Sequence, residues 1–217
     1  MTQIHYKSAF QKISEDELDK WLEFNKTRLI GSAIFTCQDT LTSKLVRWGE
    51  RHLFAGRMHR GIDARMNSKC HTSIHPYIYS SKFVPSHTGS IIEYANELHI
   101  FDMKPPRASV QPLKGYLLNT DEDYCLVMRD FPLDEQMFSL NLQFHISEFY
   151  PYLSALRSVF TKRQSKWNMH CSELHARMLD LCGHKFPDDF NFECTPDELL
   201  QILKGGVNEF KIYLNKY

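Results

Sequence analysis

The chain has 217 residues, of which 42% are hydrophobic and 24% are charged, so it is long enough and apolar enough to bury a core. Its 26 basic and 26 acidic residues give a formal net charge of zero, which disfavours nucleic acid or an anionic membrane as an obligate partner. No window is apolar over the length needed to span a bilayer, and the N-terminus shows no secretory signal, so we expect a cytoplasmic protein.

Two helices and one buried strand are predicted in the first quarter of the chain. Ser14 and Glu17 have the spacing of a capping box, which predicts a helix over about 14–29. Residues 31–37 are small or apolar and favour a short buried strand. Apolar residues at helical spacing predict a second helix over about 41–53, and the basic, aperiodic stretch 54–69 is typical of a long loop.

The middle of the chain is rich in residues that favour strands. Turn-type residues, among them Pro85, Gly89 and Asn96, separate the apolar runs. The predicted strands are 70–79, 90–95, 98–103 and 124–129.

Helices are predicted again in the C-terminal part. A helical pattern from about 134 to 160 forms the start of a helical insertion that extends to about 166. A short helix over 171–181 is stopped by Gly183, and Thr195 with Pro196 begins the last helix. Because the order is helices, then strands, then helices, we expect one α+β domain over 1–217 with an additional N-terminal helix.

The cysteines indicate thiol chemistry more than a disulfide framework or a zinc site. None of the six forms a CxxC pair, and their wide spacing is typical of thiols in a reducing compartment. Cys171 stands out because it begins a predicted helix, where unpaired N–H groups and the helix dipole favour the thiolate. The six are Cys37, Cys70, Cys125, Cys171, Cys182 and Cys194.

Several segments in a shared order resemble the circularly permuted branch of the NlpC-type papain-like superfamily, the YiiX-like group. Residues 31–35 resemble its opening "GDIIF" strand, with Ser32 in place of the usual Asp. The segments 43–48, 91–95, 112–117 and 170–174 resemble its "S-x-L-I-R-W", "V-I-E-A", "P-L-x-x-Y" and "Y-C-S-E-L" motifs. The resemblance implies a papain-like α+β fold in which a central antiparallel sheet packs against the nucleophile helix.

The family places its catalytic histidine before the cysteine, at the start of a strand in an "H-V-G-I" context. The resemblance implies His71 as the base, with His75, His87 and His59 left open as alternatives. It implies Glu93 as the third residue, which would orient the imidazole of the base. The implied activity is that of a thiol hydrolase or acyltransferase that cleaves an amide, peptide, ester or thioester bond and needs no cofactor or metal.

Two other interpretations of the function are compatible with the sequence. His71 and His75 could bind a metal with Cys70 or His99, although no recognisable ligand spacing supports it. The chain could also be a non-catalytic interaction or lipid-binding protein on the same fold. Aromatic residues of the helical insertion would then form a partner surface: Phe138, Phe144, Phe149, Tyr150 and Tyr152.

Overall fold

The computed structural model describes six β-strands and the helices that pack on them. It describes residues 3–37, 44, 85–104, 106–149, 169–186, 190, 192 and 194–205. The elements in chain order are β1 (Gln3–Tyr6), α1 (Lys7–Phe10), α2 (Glu15–Leu29), β2 (Ala33–Cys37), β3 (His87–Tyr94), β4 (Glu97–Met103), β5 (Ala108–Pro112), α3 (Leu113–Asn119), β6 (Asp123–Met128), α4 (Glu135–Gln143), α5 (Cys171–Leu181) and α6 (Pro196–Gly205).

The strands form one antiparallel sheet in the order β1-β6-β2-β3-β4-β5. A two-residue turn joins β3 to β4, and both of its residues, Ala95 and Asn96, have positive φ. Turns of this kind match the right-handed twist of antiparallel strands. The turn fixes the register of β3 on β4, and Gly89 consequently lies opposite Asp102.

Helices cover both faces of the sheet. Ile91 on β3 packs with Leu18 of α2 and Leu117 of α3, whereas its neighbour Ile92 packs with Leu174 of α5 and other residues of the opposite face. Successive strand residues point to opposite faces, so these two isoleucines belong to two separate clusters. The fold is therefore α+β, as the sequence predicts, with the sheet buried on both sides at β3.

Helix α2 begins and ends where the sequence predicts. The Ser14 hydroxyl accepts a hydrogen bond from the Glu17 N–H, and the Glu17 carboxylate accepts one from the Ser14 N–H, which completes the capping box. The strand predicted over 31–37 is β2, and the strand predicted over 98–103 is β4. Helix α5 has the predicted bounds, and Gly183 follows it with a φ of 104°.

Other parts of the chain differ from the sequence prediction or lie outside the described residues. Strand β3 begins at His87, three residues before the predicted start. Strands β1 and β5 and helices α1 and α3 were not predicted; each is short, and β1 and β5 form the two edges of the sheet. The predicted helix over 41–53, loop over 54–69 and strand over 70–79 fall outside the described residues, apart from residue 44.

Arg129 secures the end of α2 to the rest of the domain. Its guanidinium donates from Nε to the Ile30 carbonyl at 2.5 Å and from Nη2 to the Thr27 carbonyl at 2.5 Å. Its Nη1 donates to the Phe131 carbonyl at 2.6 Å, and Nη2 also forms an ion pair with Glu135. The last carbonyls of a helix have no partner within the helix, so this buried side chain supplies the donors that they need.

Replacing Arg129 with methionine should lower the free energy of unfolding by about 3–5 kcal/mol, because the carboxylate and the carbonyls lose a buried charged partner. Lys20→Met is a matched control, since Lys20 is exposed on the same helix. Urea denaturation of the two variants measures the effect. Equal midpoints for both variants would show that Arg129 has no such role.

Candidate active site

Cys171 is the first residue of α5 and lies at the helix N-terminus. The residue before it, His170, occupies the N-cap position but makes no side-chain capping hydrogen bond. The first N–H groups of a helix have no acceptor within the helix, and together with the helix dipole they stabilise negative charge. Cys171 is 6% exposed, so its sulfur lies in a largely dry environment in which nearby charges act strongly.

His87 and Asp102 meet at the end of the sheet where β3 begins and β4 ends. The register that places Gly89 opposite Asp102 puts His87 two residues along β3, in a diagonal position on the neighbouring strand. The His87 Nε2 forms a short hydrogen bond with Asp102 Oδ1, and both side chains are buried. Because Asp102 occupies Nε2, Nδ1 is the nitrogen that remains for another partner.

That partner is Cys171. His87 is hydrogen-bonded to the Cys171 side chain and interacts with it electrostatically. Helix α5 packs directly on β3 through the cluster that contains Ile92 and Leu174. A cysteine, a histidine and an aspartate therefore form one group, with the imidazole between the thiol and the carboxylate.

The charges and hydrogen bonds within this group stabilise the thiolate form of Cys171. Burial alone would raise the pKa of the Cys171 thiol, but the charge of His87 and hydrogen bonds from His170 and His87 outweigh burial and lower the pKa. Burial alone would likewise lower the pKa of His87, but the charges of Cys171 and Asp102 raise it well above its ordinary value. At neutral pH the two groups therefore form a thiolate–imidazolium pair.

Asp102 is itself held in place by an ion pair with Lys104, which also pairs with Glu122. Lys104 Nζ donates to Asp102 Oδ2 at 2.8 Å and to the Glu122 carboxylate at 3.0 and 3.1 Å. Burial would raise the pKa of Asp102, but the charges and hydrogen bonds of His87 and Lys104 keep it below its usual value. Tyr116 completes the network by donating from its hydroxyl to Glu122 at 3.2 Å. The carboxylate that orients His87 therefore stays ionised in a buried position.

A second histidine lies beside the sulfur. The Ser172 hydroxyl donates to the Cys194 carbonyl at 2.5 Å, so its oxygen is left to accept from His170 Nδ1 at 3.1 Å. This arrangement fixes the orientation of the His170 ring, and the ring beside the sulfur helps to lower the pKa of Cys171. Sequence reasoning assigned no role to His170.

Glu173 could stabilise the helix N-terminus or could oppose the Cys171 thiolate, and the sequence does not distinguish the two. In the structure this buried carboxylate accepts hydrogen bonds from Arg177 Nε at 3.0 Å and Nη2 at 2.9 Å. The guanidinium balances its charge. We infer that Glu173 is compatible with an ionised Cys171.

Glu93, the predicted third residue, lies elsewhere. It is near the far end of β3, and six residues at about 3.3 Å each separate it from His87. Its carboxylate forms an ion pair with Lys26 and is 38% exposed. Because a side chain cannot reach across that span, Glu93 does not orient His87, and the carboxylate that does so is Asp102.

His71, the predicted base, lies outside the described residues, as do His75 and His59. Its role stays a prediction, whereas the described histidine that contacts Cys171 from the sheet is His87. The alternative metal set is also mostly outside the described residues. Its described member, His99, pairs through Nδ1 with the Glu97 carbonyl at 3.2 Å, and the described residues contain no cluster of three metal-binding side chains.

The sequence contains a signal for His87, which is one of the four candidate bases, and for Asp102, which sequence reasoning does not single out. His87, Thr88 and Gly89 have the H-x-G form of the "H-V-G-I" motif and begin β3. Asp102 lies near the end of the strand predicted over 98–103, after two apolar residues, which is an order of residue types similar to that of the "V-I-E-A" motif. Assigning that motif to 91–95 left too little room for a strand after His87 and directed the choice to His71.

The arrangement can generate a nucleophile at neutral pH, transfer a proton through His87 and stabilise an oxyanion with helix N-terminal N–H groups. Comparison with protein-family models, with curated proteins and with solved structures finds no match to this chain. Within the described residues, each helix is too short or too polar to cross a lipid bilayer.

Proposed function

We propose that this chain is a papain-like cysteine hydrolase or acyltransferase that acts on an amide, peptide, ester or thioester bond. The observation that carries the proposal is the placement of the His87 imidazole between the Cys171 thiol and the buried Asp102 carboxylate. A catalytic triad consists of a nucleophile, a base that contacts it and a carboxylate that orients the base. Such a triad is recognised by this spatial arrangement and not by the order of its residues along the chain. The resemblance to the permuted NlpC-type group agrees with the proposal.

The reaction begins with attack of the Cys171 thiolate on the carbonyl carbon of the substrate, which forms a tetrahedral intermediate. The Cys171 N–H and the N–H groups that follow it stabilise the oxyanion. As the intermediate collapses, the bond to the leaving group breaks and the His87 imidazolium gives that group a proton.

The acyl-enzyme is then resolved by water or by another acceptor. Neutral His87 takes a proton from the attacking hydroxyl or amine, and the C–S bond of the acyl-enzyme breaks, which regenerates the thiolate. Asp102 stays ionised throughout, holds the ring orientation and stabilises the imidazolium.

Two exposed aromatic side chains favour the alternative of an interaction protein. Phe144 is 81% exposed and Phe149 is 72% exposed, whereas Phe138 is fully buried and serves the core. Tyr150 and Tyr152 lie outside the described residues. A partner surface and a reactive cysteine are compatible, so the test must address the thiol itself.

Iodoacetamide at about pH 6 should alkylate Cys171 before the other cysteines. The lowered pKa of Cys171 keeps its thiolate populated below pH 8, and reactivity is lost only as the pH falls through that lowered pKa. Peptide mapping after short exposure gives the order of labelling. Cys37 is the comparison, because it is more exposed than Cys171 and would react first if access alone decided.

Faster labelling of Cys37 than of Cys171 at this pH would contradict the proposal that the chain is a cysteine hydrolase or acyltransferase. The interaction-protein alternative would then be the better account of the chain.

A further inference from the structure

A buried hydrogen bond links the two elements that carry the reacting pair. Ser90 Oγ lies 2.7 Å from His175 Nδ1. Ser90 is on β3, three residues from His87, and His175 is on α5, one turn from Cys171. The link therefore lies within about 10 Å of the pair along each element.

Both partners are inaccessible to solvent. Ser90 is 3% exposed and His175 is 0% exposed. Burial lowers the pKa of His175 to about 3, so the ring is neutral near pH 7 and neither gives nor takes a proton in the reaction. The Phe138 ring packs edge-on against His175 at 5.8 Å between centroids and limits its rotation.

The cost of burying these polar groups indicates a purpose beyond packing. His175 Nε2 is buried with no hydrogen-bond partner among the described residues, although an apolar side chain would fill the same space without that penalty. The polar pair instead gives a directional contact at one point between helix and strand. Apolar contacts around it, such as those of Leu174 with Ile92, are not directional.

We propose that Ser90 and His175 are positioning residues, whose hydrogen bond fixes α5 on β3 at the separation that lets His87 contact Cys171. This inference rests on the proposed function. It assigns no chemical step to either residue, because they act through the geometry of the pair. Small displacements of a reacting group have large effects on rate, so a single directional bond at this junction is sufficient.

The test compares Ser90→Ala with Ser139→Ala. Ser139 is a matched control, because it is also a buried serine that joins β3 to a helix, accepting from the Glu93 N–H at 3.0 Å at the other end of the strand. The readout is the pH dependence of Cys171 alkylation, beside urea denaturation. Ser90→Ala should raise the pH of half-maximal alkylation and slow labelling at pH 6 roughly fivefold, whereas Ser139→Ala should lower only stability.

Two variants of His175 keep the test decisive if Ser90→Ala does not fold. His175→Asn retains a polar atom near the position of Nδ1 and should preserve the pH profile. His175→Leu retains the volume without the hydrogen bond and should shift the profile as Ser90→Ala does. Equal profiles for these two variants, or for the two serine variants, would overturn the positioning role.

The two proposals fail in different ways. A wild-type Cys171 that is no more reactive than Cys37 overturns the proposed function. A reactive wild-type Cys171 whose profile is unchanged in Ser90→Ala overturns the positioning role alone.

Discussion

Replacing His87 with glutamine is expected to slow alkylation of Cys171 at pH 6 by about 100-fold. The substitution removes the cation that stabilises the thiolate, so burial raises the pKa of Cys171 toward the ordinary value for cysteine, opposed only by His170 among the groups that lower it in the wild type. At pH 6 an ordinary thiol is only about 0.3% ionised. Glutamine places an amide nitrogen near the position of Nε2, so the hydrogen bond to Asp102 can be kept and the fold preserved.

His71→Gln is the variant that separates the two candidates for the base. If His87 is the base, His71→Gln should alkylate at the wild-type rate. His99→Gln serves as a control for the loss of an imidazole from the neighbouring strand, since His99 pairs with its own strand and not with Cys171. A slow His71→Gln beside a fast His87→Gln would restore His71 as the base and reject the triad proposed for this chain.

The elements that could be predicted from the sequence are those specified by neighbouring residues. Ser14 and Glu17 satisfy each other's backbone N–H groups, and Gly183 ends α5 because its positive φ carries no side-chain penalty. Both signals lie within a few positions of the boundary they set. The edge strands β1 and β5 could not be predicted, because their pairing with β6 and β4 depends on the folded sheet.

The candidate site likewise contains one part that neighbouring residues specify and another that depends on the folded sheet. Cys171 could be singled out because two signals are local to it, the predicted start of a helix and the resemblance of residues 170–174 to the "Y-C-S-E-L" motif. The sequence names His87 only as one of four candidate bases and does not single out Asp102, because the contact of His87 with Asp102 depends on the register of β3 against β4. That register is fixed by the turn at Ala95 and Asn96, and the positive φ of an alanine is not a conformation that its residue type predicts.

Asp102→Asn should lower the rate of Cys171 alkylation at pH 6 by about 10- to 100-fold. The amide can still accept from His87 Nε2, but the negative charge that raises the pKa of His87 is gone. The ion pair then shifts toward the neutral thiol and imidazole. Lys104, which neutralises Asp102 in the wild type, also becomes a nearby positive charge that opposes the imidazolium. Glu93→Gln, which removes the surface partner of Lys26, should leave the rate unchanged.

Lys104→Met tests whether this loss is electrostatic. Alone, it frees the full charge of Asp102 to act on His87, so the pH of half-maximal alkylation should stay the same or fall. Combined with Asp102→Asn, it removes the opposing cation and should restore part of the lost rate, because the net charge around His87 returns toward its wild-type value. A purely structural role for Asp102 predicts the reverse, since a second buried substitution in the Lys104–Glu122 network would then lower the rate further. A higher alkylation rate in the double variant than in Asp102→Asn therefore shows that Asp102 acts on Cys171 through the charge of His87. A lower rate shows that its role is structural.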